Sequence, residues 1–250
     1  MFFMAREKSH RNFRETTMTD QDLVAHIETA RALLVEAALD CAPAVLATSL
    51  GAEDMVLLDL ISRDRHPVRA FVLDTGRLPN ETLALLENIK TRYRTPIDIF
   101  TPEPAAMASF DTAHGSDGIF QSVETRKACC HLRKVEPLAR ALDGKGAWIT
   151  GLRRGQSAQR AATAEKSWDA DHGLFKFNPL ADWSSEDVWA YIRDRKVPYN
   201  PLHDQGYTSI GCAPCTRAIK PGEDERAGRW WWEINESQEC GLHPSGSLGA

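Results

Sequence analysis

The stretch AVLATSLGAEDMVLLDLIS, residues 44–62, decides the architecture. Its opening, AVLATSL (44–50), is a short apolar run and reads as a buried strand. Its close, DMVLLDLIS (54–62), reads as a helix, with the turn between them carried by SLGAED. A buried strand that runs straight into a helix is the start of a crossover unit. The pattern recurs downstream: RAFVLDT (69–75) is strand-like and is followed by a helix in NETLALLENIKTRY (80–93). IDIFTP (97–102) and AWITGL (147–152) complete four expected strands. Short apolar strands separated by helical segments imply parallel pairing, hence a doubly wound, mainly parallel α/β sheet up to about residue 200. Upstream, the run from Thr19 to Asp40 places Leu23, Ile27, Ala30, Leu34 and Ala38 on one helical face. Beyond the sheet, Pro198, Pro201, Pro214 and Pro221 break the chain into short pieces.

The chain has 250 residues, 42% hydrophobic and 26% charged, with a formal net charge of −5. That suits one large domain or two small ones. The acidic balance argues against broad nucleic-acid binding. No apolar run reaches the roughly 18 residues of a membrane span. The start, MFFMAREKSHRNFRETT, lacks the apolar core of a signal peptide, so residues 1–18 are expected to be a disordered tail and the protein cytoplasmic. Six cysteines in such a chain point to metal or redox chemistry rather than disulfides.

Ligands of open α/β sheets bind beyond the carboxyl ends of the strands. Three such ends carry suggestive residues: SLGAED after the first strand, LDTGR (Leu73, Asp74, Thr75 onward) after the second, and TGLRRGQS after the fourth. At SLGAED, amides at a strand-to-helix turn suit an anion, and Gly51 permits close approach; a plain turn is the competing reading. Arg153 and Arg154 are either a solvated pair or anion ligands at the mouth of the sheet.

The strongest signal is a set of four cysteines. Cys129 and Cys130 are adjacent, among Arg126, Lys127, Arg133 and Lys134, and after 81 intervening residues comes Cys212-Ala-Pro-Cys215. A disulfide between adjacent residues is strained. A C-x-x-C turn brings two sulfurs within reach of one metal, and Gly211 and Pro214 favour that turn. Four thiolates suit zinc or an iron–sulfur cluster, and core cysteines plus a redox dithiol remain open. Zinc normally uses separated ligand pairs, whereas an adjacent pair can reach two irons of a cubane. Near the end stand Arg226, Arg229, Trp230-Trp231-Trp232 and then ECGLH. Cys240, flanked by Glu239 and Gly241, is poorly explained by core packing and is a candidate nucleophile, with His243 three residues on. Cys41, before Ala-Pro, reads as structural.

SLGAED, LDTGRLPNET, TRKACCHLRKVEPL, TGLRRGQS, GCAPCTR, EDERAGRWWW and ECGLH resemble, in this order, the bacterial assimilatory adenylyl-sulfate (APS) reductases. These belong to the phosphoadenylyl-sulfate (PAPS) reductase group of the PP-loop adenine-nucleotide fold, and the resemblance spans about residues 40–243. It implies that Cys129, Cys130, Cys212 and Cys215 bind a 4Fe–4S cluster and that Lys134 links that cluster electrostatically to the substrate's sulfate. It also implies that Ser49, Gly51 and the LDT residues Leu73, Asp74 and Thr75 surround the nucleotide, that Arg153, Arg226 and Arg229 hold its phosphate and sulfate, and that Cys240 is the nucleophile. His243 is a further candidate catalytic residue. A nucleotide-hydrolysing PP-loop typically reads SGGxDS; here Leu50 and Asp54 replace a glycine and a serine, which suits a monophosphate ligand better than a triphosphate tail.

The implied activity is thioredoxin-dependent reduction of APS to sulfite and AMP through a cysteine S-sulfonate, in sulfate assimilation toward cysteine. Thioredoxin or glutaredoxin would be the thiol donor, with neither nucleic acid nor membrane as a partner; homo-oligomer formation stays open. The expected organisation is a reductase domain over residues 19–222, then an Arg/Trp segment and a mobile catalytic tail over 223–250. Rival readings are a PAPS or dual-specificity reductase, a PP-loop ATP pyrophosphatase with a zinc site, and a non-catalytic zinc module. The pyrophosphatase would want SGGxDS and a basic extension, and the zinc module leaves Cys240 and the strand-end arginines unexplained.

Overall fold

The computed structural model describes residues 20–233 and 241–242. The expected N-terminal tail, Cys240 and His243 lie outside the described residues.

The 44–62 stretch forms β1 (Ala44–Thr48) and α2 (Ala52–Asp64), after α1 (Asp20–Leu39). Next come β2 (Arg69–Leu73), α3 (Asn80–Arg92) and β3 (Ile97–Phe100). The chain then runs through α4 (Pro104–His114), α5 (Val123–Cys130) and α6 (Glu136–Leu142) before β4 (Ala147–Ile149). A hairpin of β5 (Lys166–Asp169) and β6 (Leu174–Phe177) and a last helix, α7 (Ser185–Arg195), complete the elements that position the site. The sheet order is β3-β2-β1-β4-β6-β5. All pairings are parallel except β5 with β6.

Strand periodicity divides the core in two. Leu46, Ala70, Val72, Ala147 and Ile149 point to one face, where α1, α2, α3 and α7 cover them. Val45, Phe71 and Trp148 point to the other, against Leu138, Ala141 and Leu142 of α6. This two-period alternation is what helices on both faces of a sheet require. The expected α1 face is the buried one: Ile27, Ala30, Leu34 and Ala38 are in the core, with Leu23 packed at its edge.

Two differences from the sequence reading stand out. β3 and β4 end at Phe100 and Ile149, short of the expected 102 and 152, because the residues that follow leave the strand ladder for loops. The β5–β6 hairpin was not expected. Its strands have four residues each, and only the turn before Leu174, where Gly173 has φ +67°, marks it.

Because β1 neighbours β2 on one side and β4 on the other, the loops leaving β1 and β4 diverge. A crevice opens between them at their carboxyl ends, which is where such sheets take ligands.

Candidate functional site

The crevice is a cavity of about 210 Å³. Its floor is apolar, formed by Ala47, Phe71, Leu73, Leu138 and Trp148. Its rim brings together Ser49, Gly51, Thr75, Lys134, Arg226 and Arg229, all named from the sequence. Leu242, two residues after Cys240, also lines it. Residues from nearly every part of the chain therefore meet here.

The turn after β1 is tightly specified. Leu50 is fully buried yet has φ 62°, a left-handed conformation costly for a side chain with a Cβ. Its amide donates to Thr48 Oγ1 at 3.0 Å. The Asp54 carboxylate accepts from the Ser49 amide at 2.6 Å and the Ser49 hydroxyl at 2.9 Å. Burial pushes Asp54 up to about 6 despite those hydrogen bonds.

Arg153 and Asp74 sit apart from this rim. Arg153 is buried and held by Glu53 at 2.8 Å and Glu225 at 3.0 Å, so its guanidinium fixes two carboxylates beside the cavity. Asp74 accepts from the Gly76 amide at 2.9 Å and caps its own turn. Arg154 pairs with Asp182. Two rim residues were missed in the sequence: Arg160, whose guanidinium donates to Gln156 Oε1 at 2.5 Å, and Gln156, which also donates to Glu53 at 3.0 Å. The run RRGQSAQR offered a signal, since it places a third arginine on the loop leaving β4.

The cysteine set lies behind the rim. Ser122 caps α5 by accepting from the Thr125 amide at 3.1 Å. After Cys130 the helix widens into a π-helical turn, His131–Val135, before α6. Pro137 explains it, since it cannot donate to the preceding turn and the ladder must adjust there. Cys129 and Cys130 lie about one turn from Arg133 and Lys134, and all four are buried. The Cys212–Cys215 segment is a short 3₁₀ turn around Pro214. Ala213 N is held by Arg77 O at 2.8 Å, and Trp230 N donates to Cys215 O at 3.2 Å. Cys129, Cys130, Cys212 and Cys215 thus share one small cluster and line one small space with Arg77, Arg126, Arg133 and Lys134.

The electrostatics of this space are uneven. Burial pushes Cys215 up to about 12, reinforced by Cys212 and Cys130. Burial acts the same way on Cys212, but Lys134, the Thr75 hydroxyl at 3.2 Å, Arg229 and Arg133 outweigh it and hold it below the ordinary range. No group of three or more His, Cys, Asp or Glu among the described residues has the arrangement of a metal-ion site. The donor set still fits a thiolate-bound cluster: four buried sulfurs face one space, and the cations around it match the negative charge that four thiolates bring.

Lys134 and Cys212 line both this space and the large cavity. Arg229 stacks on Trp230, its guanidinium carbon 4.6 Å from the ring centroid, and its buried Nε has no hydrogen-bond partner among the described residues. Gly211 leaves room for this guanidinium, which a Cβ would strike. A buried cation with an open donor at a cavity wall is suited to an anionic ligand.

This fold and rim define an α/β protein with an anion-accepting cavity at its switch point and a cysteine set behind it. The chain belongs to the phosphoadenosine phosphosulfate reductase domain family, whose description matches residues 43–218. It is 55% identical over 230 residues to an adenosine 5′-phosphosulfate reductase of Allochromatium vinosum, covering 92% of this chain and 90% of that one. A Burkholderia cepacia protein of the same name is 49% identical over 227 residues, covering 91% of each. The phosphoadenylyl-sulfate reductase of Candida auris, solved as a phosphate complex, superposes with a TM-score of 0.66 at 27% identity, covering 81% of this chain and 98% of that one. An FMN adenylyltransferase of Candida glabrata shares the fold, with a TM-score of 0.55 at 16% identity, covering 90% of this chain and 79% of that one.

Proposed function

We propose that this chain is an oxidoreductase acting on a sulfur group, reducing adenylyl sulfate to sulfite and AMP in sulfate assimilation. The relatives at 49–55% identity carry that activity in their names. The observation that carries the reading is Lys134, which lines the anion-accepting cavity and the cysteine-lined space at once.

Cys129, Cys130, Cys212 and Cys215 would hold a 4Fe–4S cluster, whose contribution when bound is structural and electrostatic. The apolar floor takes the adenosine; Ser49, Gly51, Leu73 and Thr75 line its seat, and Lys134, Arg226 and Arg229 hold the phosphate and sulfate. The Cys240 thiolate attacks the sulfate sulfur. A sulfur–sulfur bond forms, the sulfur–oxygen bond to phosphate breaks, and AMP leaves with the electron pair. The cations screen the approach of one anion to another and stabilise the charge that develops on the bridging oxygen. A thiolate of thioredoxin or glutaredoxin then attacks Cys240 Sγ, and sulfite leaves with the bonding pair. The partner's second thiol resolves the mixed disulfide, so the partner dithiol supplies both electrons. The placement of Leu242 on the cavity supports Cys240 as the nucleophile, because two residues span at most about 7 Å. Arg153 positions Glu53 and Glu225, and His243 is a candidate to assist Cys240.

Incubating the enzyme with adenylyl sulfate and no reductant tests this. Mass spectrometry should find one sulfonate on the peptide containing Cys240, released as sulfite by reduced thioredoxin. Cys240→Ser should bind substrate and form no adduct, since its hydroxyl is almost wholly protonated near neutral pH. A sulfonate on Cys41, or undiminished sulfite production by the serine variant, would overturn the mechanism. PAPS turning over as fast as adenylyl sulfate would shift the reading to dual specificity.

A further inference from the structure

The last described piece of the chain, Gly241 and Leu242, returns to the cavity. Between Ile234 and Leu248 the sequence reads NESQECGLHPSGS, so Leu242 is its one large aliphatic side chain. A polar run with a single such side chain has one place at which apolar burial can hold it. That side chain is half-buried and packs against the cluster containing Phe71, Leu138 and Trp148, all three of which also form the cavity floor. Gly241 lies beside Val135, the residue between Lys134 and the start of α6. A Cβ built on Gly241 would stand 3.8 Å from Val135 Cγ2, an ordinary contact, so lack of room is not what calls for glycine. Its φ of +83° does, since that turn is costly for any residue with a Cβ. Cys240 is bonded to Gly241, with about 3.8 Å between their α-carbons. The contact at Val135 therefore limits the backbone of Cys240 to the Lys134 side of the cavity.

We propose that Leu242 is a positioning residue: its side chain, seated on the apolar floor, holds Cys240 at the Lys134 side of the cavity for attack on the sulfate sulfur. The proposal rests on the reading of Cys240 as the nucleophile and says what seats it. In the first step the thiolate forms a sulfur–sulfur bond, the sulfur–oxygen bond to phosphate breaks, and AMP leaves with the electron pair. The rate of that step scales with the fraction of molecules in which the thiol is held at the substrate. The second step has the opposite requirement. A partner thiolate must reach Cys240 Sγ before sulfite can leave with the bonding pair, and a seated Leu242 keeps that sulfur against the cavity. A half-buried leucine behind a glycine turn suits both demands. One partly covered side chain is a weak anchor, and glycine lets the chain change direction without strain. Weakening the anchor should slow the first step and spare or speed the second, a split that a purely structural leucine does not give.

The test times the two steps separately in the intact enzyme, for the wild type, Leu242→Ala, Leu242→Met and Gly241→Ala. Rapid-quench mixing with saturating adenylyl sulfate and no reductant follows the first step by mass spectrometry. Reduced thioredoxin added to the isolated S-sulfonated enzyme follows the second as sulfite. Leu242→Ala should form the adduct at least about tenfold more slowly, as loss of orientation does. Its calorimetric affinity for AMP should stay close to that of the wild type, and it should release sulfite at least as fast. Leu242→Met keeps the volume and the apolar character and should recover most of the first-step rate. Gly241→Ala, a change at an exposed position, should slow the first step alone. Adduct formation at the wild-type rate in Leu242→Ala, or equal slowing of both steps, would overturn the proposal. So would tighter AMP binding with unslowed adduct formation, which would make Leu242 a plug in the nucleotide's seat. A wild type that forms no adduct on Cys240 would remove the nucleophile reading and this proposal with it, an outcome distinct from an adduct that forms equally fast in every variant.

Discussion

Lys134 stands between two spaces of different chemistry, and its position follows from sequence spacing. Four residues after Cys130, it lies in the π-helical turn His131–Val135 that follows that cysteine, and both are buried. An ammonium so placed borders the cysteine-lined space on one side and the large cavity on the other. Lys134→Ala is therefore expected to reduce turnover by about 10²–10³, the typical cost of removing one electrostatic partner of a transition state. Iron content and melting temperature should change little. Anaerobic steady-state kinetics beside iron analysis and calorimetry check this; near-normal turnover with full iron would leave Lys134 no role in the chemistry. Arg153 makes the opposite case. It is as basic and as close in sequence to a strand end, yet its guanidinium is engaged by Glu53 and Glu225.

The C-x-x-C turn closes on its own hydrogen bond, Cys215 N to Cys212 O at 2.9 Å, and is backed by a strap. Thr216 pairs with Arg229 in an antiparallel bridge, and Arg217 N donates to Gly228 O at 2.9 Å. The strap continues to Glu233, whose carboxylate meets the fully buried Arg126 at 2.8 and 2.7 Å, while Trp230 packs under that guanidinium at 4.9 Å. The closeness of the strap depends on Gly228, because a Cβ there would strike the Arg217 carbonyl. Gly228→Ala should cost about 1–3 kcal/mol, as overpacking does. At roughly 2–4 °C per kcal/mol for a domain of this size, calorimetry should record a melting point lower by about 2–12 °C. Iron per chain should fall with it, since the strap backs Cys215. An unchanged melting point would show that the strap yields at no cost.

At the scale of the whole molecule, helices cover both faces of one sheet, and the loops at one end of it line the cavity. The cysteine set joins α5 to a turn more than eighty residues later, so a cluster held there would cross-link two distant parts of the chain. Protein purified without oxygen should be brown and hold about four irons per chain, as four thiolates normally bind one cubane. Replacing Cys130 or Cys215 with serine should bleach it. Removing iron with a chelator should lower the melting point, because the metal then no longer stabilises the folded state by mass action. A colourless, active enzyme with one zinc per chain would overturn the cluster.

The sequence by itself determined the doubly wound sheet, since a strand buried on both faces must read as a continuous apolar run and α2 must follow it. It singled out Cys129, Cys130, Cys212 and Cys215 as a candidate set while leaving a redox dithiol open, and the fold brings the four to one space. It left β5 and β6 invisible, as four residues are too few for a period to show. Only the tertiary structure decided which basic residues line the cavity. Arg153, Arg154 and Arg160 look alike along the chain, and their surroundings diverge: Glu53 and Glu225 engage the first and Asp182 the second, while the third bonds Gln156 on the cavity rim. The same holds for Asp54. Its sequence context marks an acidic residue at a helix start, but the amides it bonds, of Ser49 and Gly151, belong to two different strand ends, and chain folding alone brings those together.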